Sequence, residues 1–86
     1  MRPEDIIRLL RRQPFQPFRV WLTDGTHYDV EGTEFAIVDC SAVHIGFPGP
    51  EGLQGPVERI IDVALLHIVR TTVLERSATR RRRSNG

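Results

Sequence analysis

The sequence predicts a mostly β domain, in which one N-terminal α-helix precedes a five- or six-stranded, strongly bent antiparallel sheet or small barrel. Three observations lead to this prediction. Apolar residues recur every three or four positions near the N-terminus. From residue 18 onward they alternate with polar residues, as they do in strands. Glycines, prolines and turn-forming pairs divide this alternating region into segments of ordinary strand length.

Residues 3–12 (PEDIIRLLRR) predict the helix. Pro3 suits the first helical position, where no backbone N–H is required. Glu4 and Asp5 follow at the positive end of the helix dipole, and arginines lie at its negative end. A helix this short is not stable alone, so we expect its apolar stripe to pack on the sheet. Pro14 ends it, because the residue before a proline avoids helical dihedrals.

Residues 18–23 and 26–31 alternate in polarity on either side of Asp24-Gly25. This pattern predicts a β-hairpin with a type I′ turn, which needs positive φ at both central residues. Trp21 faces away from the apolar set of its strand. We expect it to pack under the N-terminal helix, and an exposed subunit contact is the alternative.

The second half of the chain predicts further strands separated by turns. Gly32 marks a bulge or sharp bend, and the proline- and glycine-rich residues 48–56 form an exposed loop. Residues 62–66 predict a tight helical turn between two β-branched runs, although one continuous helix over residues 60–69 also fits the spacing. The remaining predicted strands span residues 35–38, 42–47, 57–63 and 67–73.

Length and composition indicate a single domain over residues 1–76, followed by an Arg-rich tail, residues 77–86, that is disordered by its composition. A domain of this size often depends on oligomerisation for stability. The single cysteine, Cys40, excludes an intrachain disulfide and a four-cysteine zinc site. No apolar run is long enough to span a membrane, and no signal peptide is evident. We therefore expect a cytoplasmic protein without membrane contact.

The net charge of +1 conceals an uneven distribution. All twelve basic residues are arginines, and four of them lie together at residues 80–83. The rest of the chain has eight arginines and eleven acidic residues, which gives a net charge of −3. A domain with this acidic balance does not favour nucleic-acid binding. The tail run can hold phosphates with an affinity that falls in salt, or it is simply a solvated tail, and both interpretations stay open. The run consists of Arg80, Arg81, Arg82 and Arg83.

The histidines are the only candidates for metal chemistry. His27 and Asp29 share one face of a strand, and His44 also points outward, so the three would suit zinc if their strands were neighbours. No pair has the close spacing of a metal motif, which favours ordinary surface residues. The chain also lacks a nucleophile elbow and a glycine-rich phosphate loop. We predict no metal site, no cofactor and no enzymatic activity.

The order of elements over residues 3–73 resembles the Sm-like barrel. The segment VWLTDG at residues 20–25 is similar to the first-hairpin pattern of that family, and Asp39 lies where its first motif ends. The resemblance implies a helix on a five-stranded, strongly bent antiparallel sheet of Sm-like or SH3-like type. It also implies assembly into rings that bind RNA.

Two departures limit what this resemblance implies. The RNA-contacting asparagine of the family falls near Ala42 and Val43, and its second motif falls on residues 62–64 (DVA), which contain no Arg, Lys or Asn. The resemblance therefore implies the fold without the RNA pocket. The segment PFQPFR at residues 14–19 also resembles small bacterial proteins to which no activity is assigned.

The function that the sequence predicts is a non-catalytic, homo-oligomeric interaction module. We expect association through sheet edges in residues 57–73, because edge pairing uses backbone groups and needs no special side chains. RNA binding with the arginine tail as an electrostatic anchor is the alternative, and metal-dependent activity through the surface histidines is a weaker one. The residues expected at the oligomer edge are Val57, Arg59, Ile61, Ile68 and Arg70.

Overall fold

A computed structural model describes residues 1–75 of the chain. This part contains one α-helix and six β-strands in two three-stranded antiparallel sheets, one ordered β2-β1-β6 and the other β3-β4-β5. The predicted tail lies outside the described residues. The elements are α1 (Pro3–Leu10), β1 (Phe18–Leu22), β2 (His27–Val30), β3 (Ala36–Val38), β4 (Ala42–Pro48), β5 (Val57–Ala64) and β6 (Ile68–Val73).

The prediction of a mostly β fold behind one helix is confirmed, but the strands do not form a single sheet. After β2 the chain turns at Gly32 and a short 3₁₀ turn (Thr33–Phe35), and β3 then starts the second sheet. Another 3₁₀ turn (Leu65–His67) separates β5 from β6, so the alternative of one continuous helix is wrong. The described residues form two open sheets and no closed barrel.

The helix is shorter than predicted and docks through its apolar stripe. It ends at Leu10, and the Asp5 carboxylate accepts the Arg2 amide at 3.1 Å, which closes its first turn. Ile6 is fully buried, while Leu9 and Leu10 pack against the same core. Helix formation therefore depends on this tertiary packing, as expected for two turns of helix.

The first hairpin forms where predicted, but its turn is not type I′. Gly25 has φ +88°, and no non-glycine residue in the described part of the chain has positive φ. The Gly25 amide donates to the Leu22 carbonyl at 3.0 Å, and the Leu22 amide donates to the Thr26 carbonyl at 2.9 Å. These bonds close a three-residue loop with glycine in its left-handed position. The Asp24 carboxylate accepts the Thr26 amide at 3.0 Å, so side-chain bonding selects this turn.

The core lies between the two sheets and is closed at one side by the helix. Alternate residues of β1 and β4 point into it, as their polarity predicts. This shared interior fixes which face of each strand is inward, because a shift by one residue would expose every apolar side chain. The largest fully buried side chains are Phe18, Ile6, Ile45, Val20, Val30 and Val43.

Candidate functional site

Strands β5 and β6 each form the free edge of a sheet. Within residues 1–75, β5 pairs only with β4 and β6 only with β1, and the two strands do not pair with each other although they are consecutive. The opposite edges, β2 and β3, are shorter. An edge strand presents unpaired N–H and C=O groups that can pair with another chain. The segment that the sequence predicts for association therefore consists of two edge strands, and association itself stays a prediction.

The hydrogen bonds beyond β5 show which of its backbone groups are open. The Leu65 amide donates to the Ser41 carbonyl at 2.9 Å, so these two residues form a hydrogen-bonded pair. Hydrogen-bonded and non-hydrogen-bonded pairs alternate along an antiparallel ladder. Continuing the β4–β5 register from that pair, Ile60 and Asp62 direct their N–H and C=O groups away from β4. These groups line the free edge of β5.

The free edge of β6 also has open backbone groups. The Leu74 amide donates to the Pro17 carbonyl at 2.8 Å, which identifies a hydrogen-bonded pair at the end of the β1–β6 ladder. By alternation along the register, Thr71 and Val73 direct their backbone groups away from β1. Both edges therefore offer at least two residues for pairing.

Exposed apolar side chains lie on β5, on β6 and in the turn that connects them. Ile60 is 64% exposed, Leu66 in the connecting turn 76% and Val69 57%. The exposed charges of β5 are mostly acidic, whereas β6 carries Arg70. The surface around the edges therefore combines apolar side chains with opposite charges on the two strands.

The five residues predicted at the oligomer edge occupy different environments. Val57 and Arg59 are exposed, and the Arg59 guanidinium lies 4.9 Å from the Phe47 ring centre. Ile61 packs against the core and Ile68 is buried, so the Ile68 side chain cannot contact another chain. Their neighbours Ile60 and Val69 are the residues whose side chains reach solvent. The sequence does not distinguish the two isoleucines, because one lies on each face of β5.

Trp21 lies on the outer face of the first sheet and not under the helix, so that prediction is wrong. Its indole Nε1 donates to Thr72 Oγ1 at 2.9 Å. The Arg70 guanidinium lies 4.2 Å from the indole centre, and the His27 ring centre lies 4.8 Å from it. Arg70, the fifth predicted edge residue, is thus held against an aromatic ring beside the free edge of β6.

The three residues considered for metal binding do not come together. Asp29 accepts two hydrogen bonds from the Arg19 guanidinium, at 2.7 and 3.1 Å. His27 contacts Trp21 on the same sheet, whereas His44 belongs to β4 in the other sheet. Within residues 1–75, no group of three or more His, Cys, Asp and Glu side chains has the arrangement of a metal site.

His44 instead joins two carboxylates on the outer face of the second sheet. Its Nδ1 lies 2.6 Å from Asp62 Oδ1, and its Nε2 lies 2.8 Å from Asp39 Oδ2. These hydrogen bonds, that to Asp62 foremost, raise the pKa of His44. The pKa of Asp39 falls to about 2, because its carboxylate accepts from His44 and from the amides of Ser41 and Ala42. Sequence reasoning missed this cluster, since it depends on the β4–β5 register.

A functional proposal for this chain rests on the geometry of residues 1–75, because similarity to known proteins does not supply one. No helix in residues 1–75 is long and apolar enough to cross a lipid bilayer, and α1, the longest, has eight residues. The predicted role of the arginine run stays a prediction, because residues 80–83 lie outside the described part. Searches against models of protein families, curated proteins and solved structures found no match.

Proposed function

We propose that this chain is a non-catalytic self-association module in which β5 of one copy pairs with β6 of the next. The observation that carries the proposal is that two consecutive strands form the free edges of two different sheets. Both strands have open backbone groups, and each carries an exposed β-branched side chain, Ile60 or Val69. The Sm-like resemblance of the sequence, which implies ring assembly, agrees with this proposal.

Charge favours pairing of unlike edges over pairing of like edges. If β5 paired with β5 of a second copy in antiparallel fashion about Ile60, Glu58 of each copy would face Asp62 of the other. Like charges directly opposite each other destabilise a ladder. Pairing of β5 with β6 instead brings these carboxylates to the edge that carries Arg70. Such a head-to-tail contact generates a closed ring, or a filament if the rotation does not close.

Light scattering of the full chain over a range of concentrations tests the proposal. We expect a mass that is a multiple of the 9.8 kDa chain mass. Lysine at an edge position blocks edge pairing, so Ile60→Lys and Val69→Lys should each shift the mass toward that of one chain. Leu53→Lys is the matched control, because Leu53 is exposed in the loop before β5 and should leave the mass unchanged.

Two results would overturn the proposal. One is a wild-type mass of 9.8 kDa at every concentration. The other is a wild-type assembly whose mass does not change in either edge variant, since association would then use another surface.

A further inference from the structure

The contacts of His44 define its protonation state by geometry. Both of its ring nitrogens lie within hydrogen-bond distance of a carboxylate oxygen, at 2.6 Å to Asp62 and 2.8 Å to Asp39. A carboxylate only accepts hydrogen bonds, and a neutral imidazole has one donor and one acceptor nitrogen. Both contacts can therefore exist together only when His44 is an imidazolium.

The groups around His44 all favour this charged form. Asp39 faces it from the turn after β3, and Asp62 faces it from β5. Glu34, from the 3₁₀ turn before β3, lines the same cleft of about 100 Å³ on this face of the sheet. The remaining residues that line this cleft are apolar or glycine. Every charged group that faces the imidazole is thus acidic, in agreement with the raised pKa of His44.

When His44 loses its proton, one carboxylate must be released, and the two are held differently. Asp39 also accepts the backbone amides of Ser41 and Ala42, both at 2.8 Å, which hold it in the turn. The Asp62 side chain is 71% exposed, and it lies on the free edge strand. Asp62 is therefore the carboxylate that leaves.

We propose that the proton on His44 controls the strength of the β5–β6 association through Asp62, an inference that rests on the proposed function. With His44 protonated, Asp62 is held on the face of the sheet and its charge is neutralised. Loss of the proton frees the Asp62 carboxylate to pair with Arg70 of the next copy. An exposed ion pair of this kind changes an association constant by roughly two- to fivefold. Association therefore strengthens as pH rises through the pKa of His44.

Sedimentation of the full chain at fixed ionic strength, from about pH 5.5 to about pH 8.5, tests this inference. We expect the wild-type association constant to rise roughly two- to fivefold with pH. Asp62→Asn should still associate but lose this rise. Glu58→Gln is the matched control, an acidic residue on the same strand, and it should keep the rise. His27 and His67 are present in both variants, so the difference between the variants isolates Asp62.

The outcomes separate this inference from the proposed function. Association that does not vary with pH, or that varies equally in Asp62→Asn, overturns control by His44 and leaves self-association standing. A chain that sediments as a monomer at every pH overturns both.

Discussion

Two isoleucines on adjacent strands provide a direct test of the shared interior. Ile45 lies in the middle of β4 and is fully buried, whereas Ile37 lies on β3 and is 69% exposed. Ile37 is paired with His44, the residue next to Ile45, so the two side chains occupy opposite faces of one sheet. Replacement by alanine removes the same side-chain atoms in both cases, from the core at Ile45 and from the surface at Ile37.

The expected magnitudes differ widely. Ile45→Ala should lower the free energy of unfolding by about 2–5 kcal/mol, because it removes buried carbons and leaves a cavity. The total free energy of unfolding of a domain of this size is about 4–11 kcal/mol, so Ile45→Ala loses a large part of it. Ile37→Ala should change the free energy of unfolding by no more than about 0.5 kcal/mol.

Urea unfolding at one fixed protein concentration, followed by Trp21 fluorescence and far-ultraviolet circular dichroism, measures both changes. The dependence of the free energy on urea should stay the same in both variants. Equal losses in the two variants, or a larger loss in Ile37→Ala, would refute the account of which face of the second sheet is inward.

The turn and the His44 cluster give three further predictions. Gly25→Ala should lower the free energy of unfolding by about 1–2 kcal/mol, because Gly25 has φ +88°, and an unchanged urea midpoint would contradict this. Asp39 has its pKa lowered from 3.8 to about 2, so its stabilisation is present above about pH 4 and is lost as pH falls through about 2. Asp39→Asn should flatten that part of the pH profile. His44 has its pKa raised above 6.5, so its stabilisation is complete below that value and is lost as pH rises through the raised pKa. His44→Gln should remove this loss of stability at high pH. A dependence of stability on pH like that of the wild type would contradict the role given to His44.

Much of the fold could be predicted because local pattern and tertiary burial agree. The alternation around Val20 and Ile45 predicts their inward orientation, and both are fully buried. Gly32, predicted as a bend, precedes the turn that leads into the second sheet, where a Cβ atom would lie 3.2 Å from the Phe35 ring. Such positions can be predicted from sequence, because the residue type at each one agrees with the pattern of its neighbours in the chain.

The remaining features depend on contacts that the pattern does not contain. The turn type follows from a hydrogen bond between Asp24 and Thr26, which competes with the backbone preference of an Asp-Gly pair. Trp21 contacts residues of β6, far along the chain, whereas the prediction that it packs under the helix rests on its size and on the helix's need for a packing surface. The pairing of His44 with Asp62 requires the register of two strands joined by a long loop, and loop composition does not specify register.

Residue-resolved hydrogen exchange of the full chain, at low and at high protein concentration, tests edge pairing most directly. The amides of Ile61 and Val63 bond to β4 within one copy, so they should be protected at both concentrations. The amides of Ile60, Asp62 and Thr71 face the free edges, and they should exchange rapidly when dilute and gain protection as copies associate. Exchange at these three amides that does not depend on concentration would contradict self-association through the edges of β5 and β6.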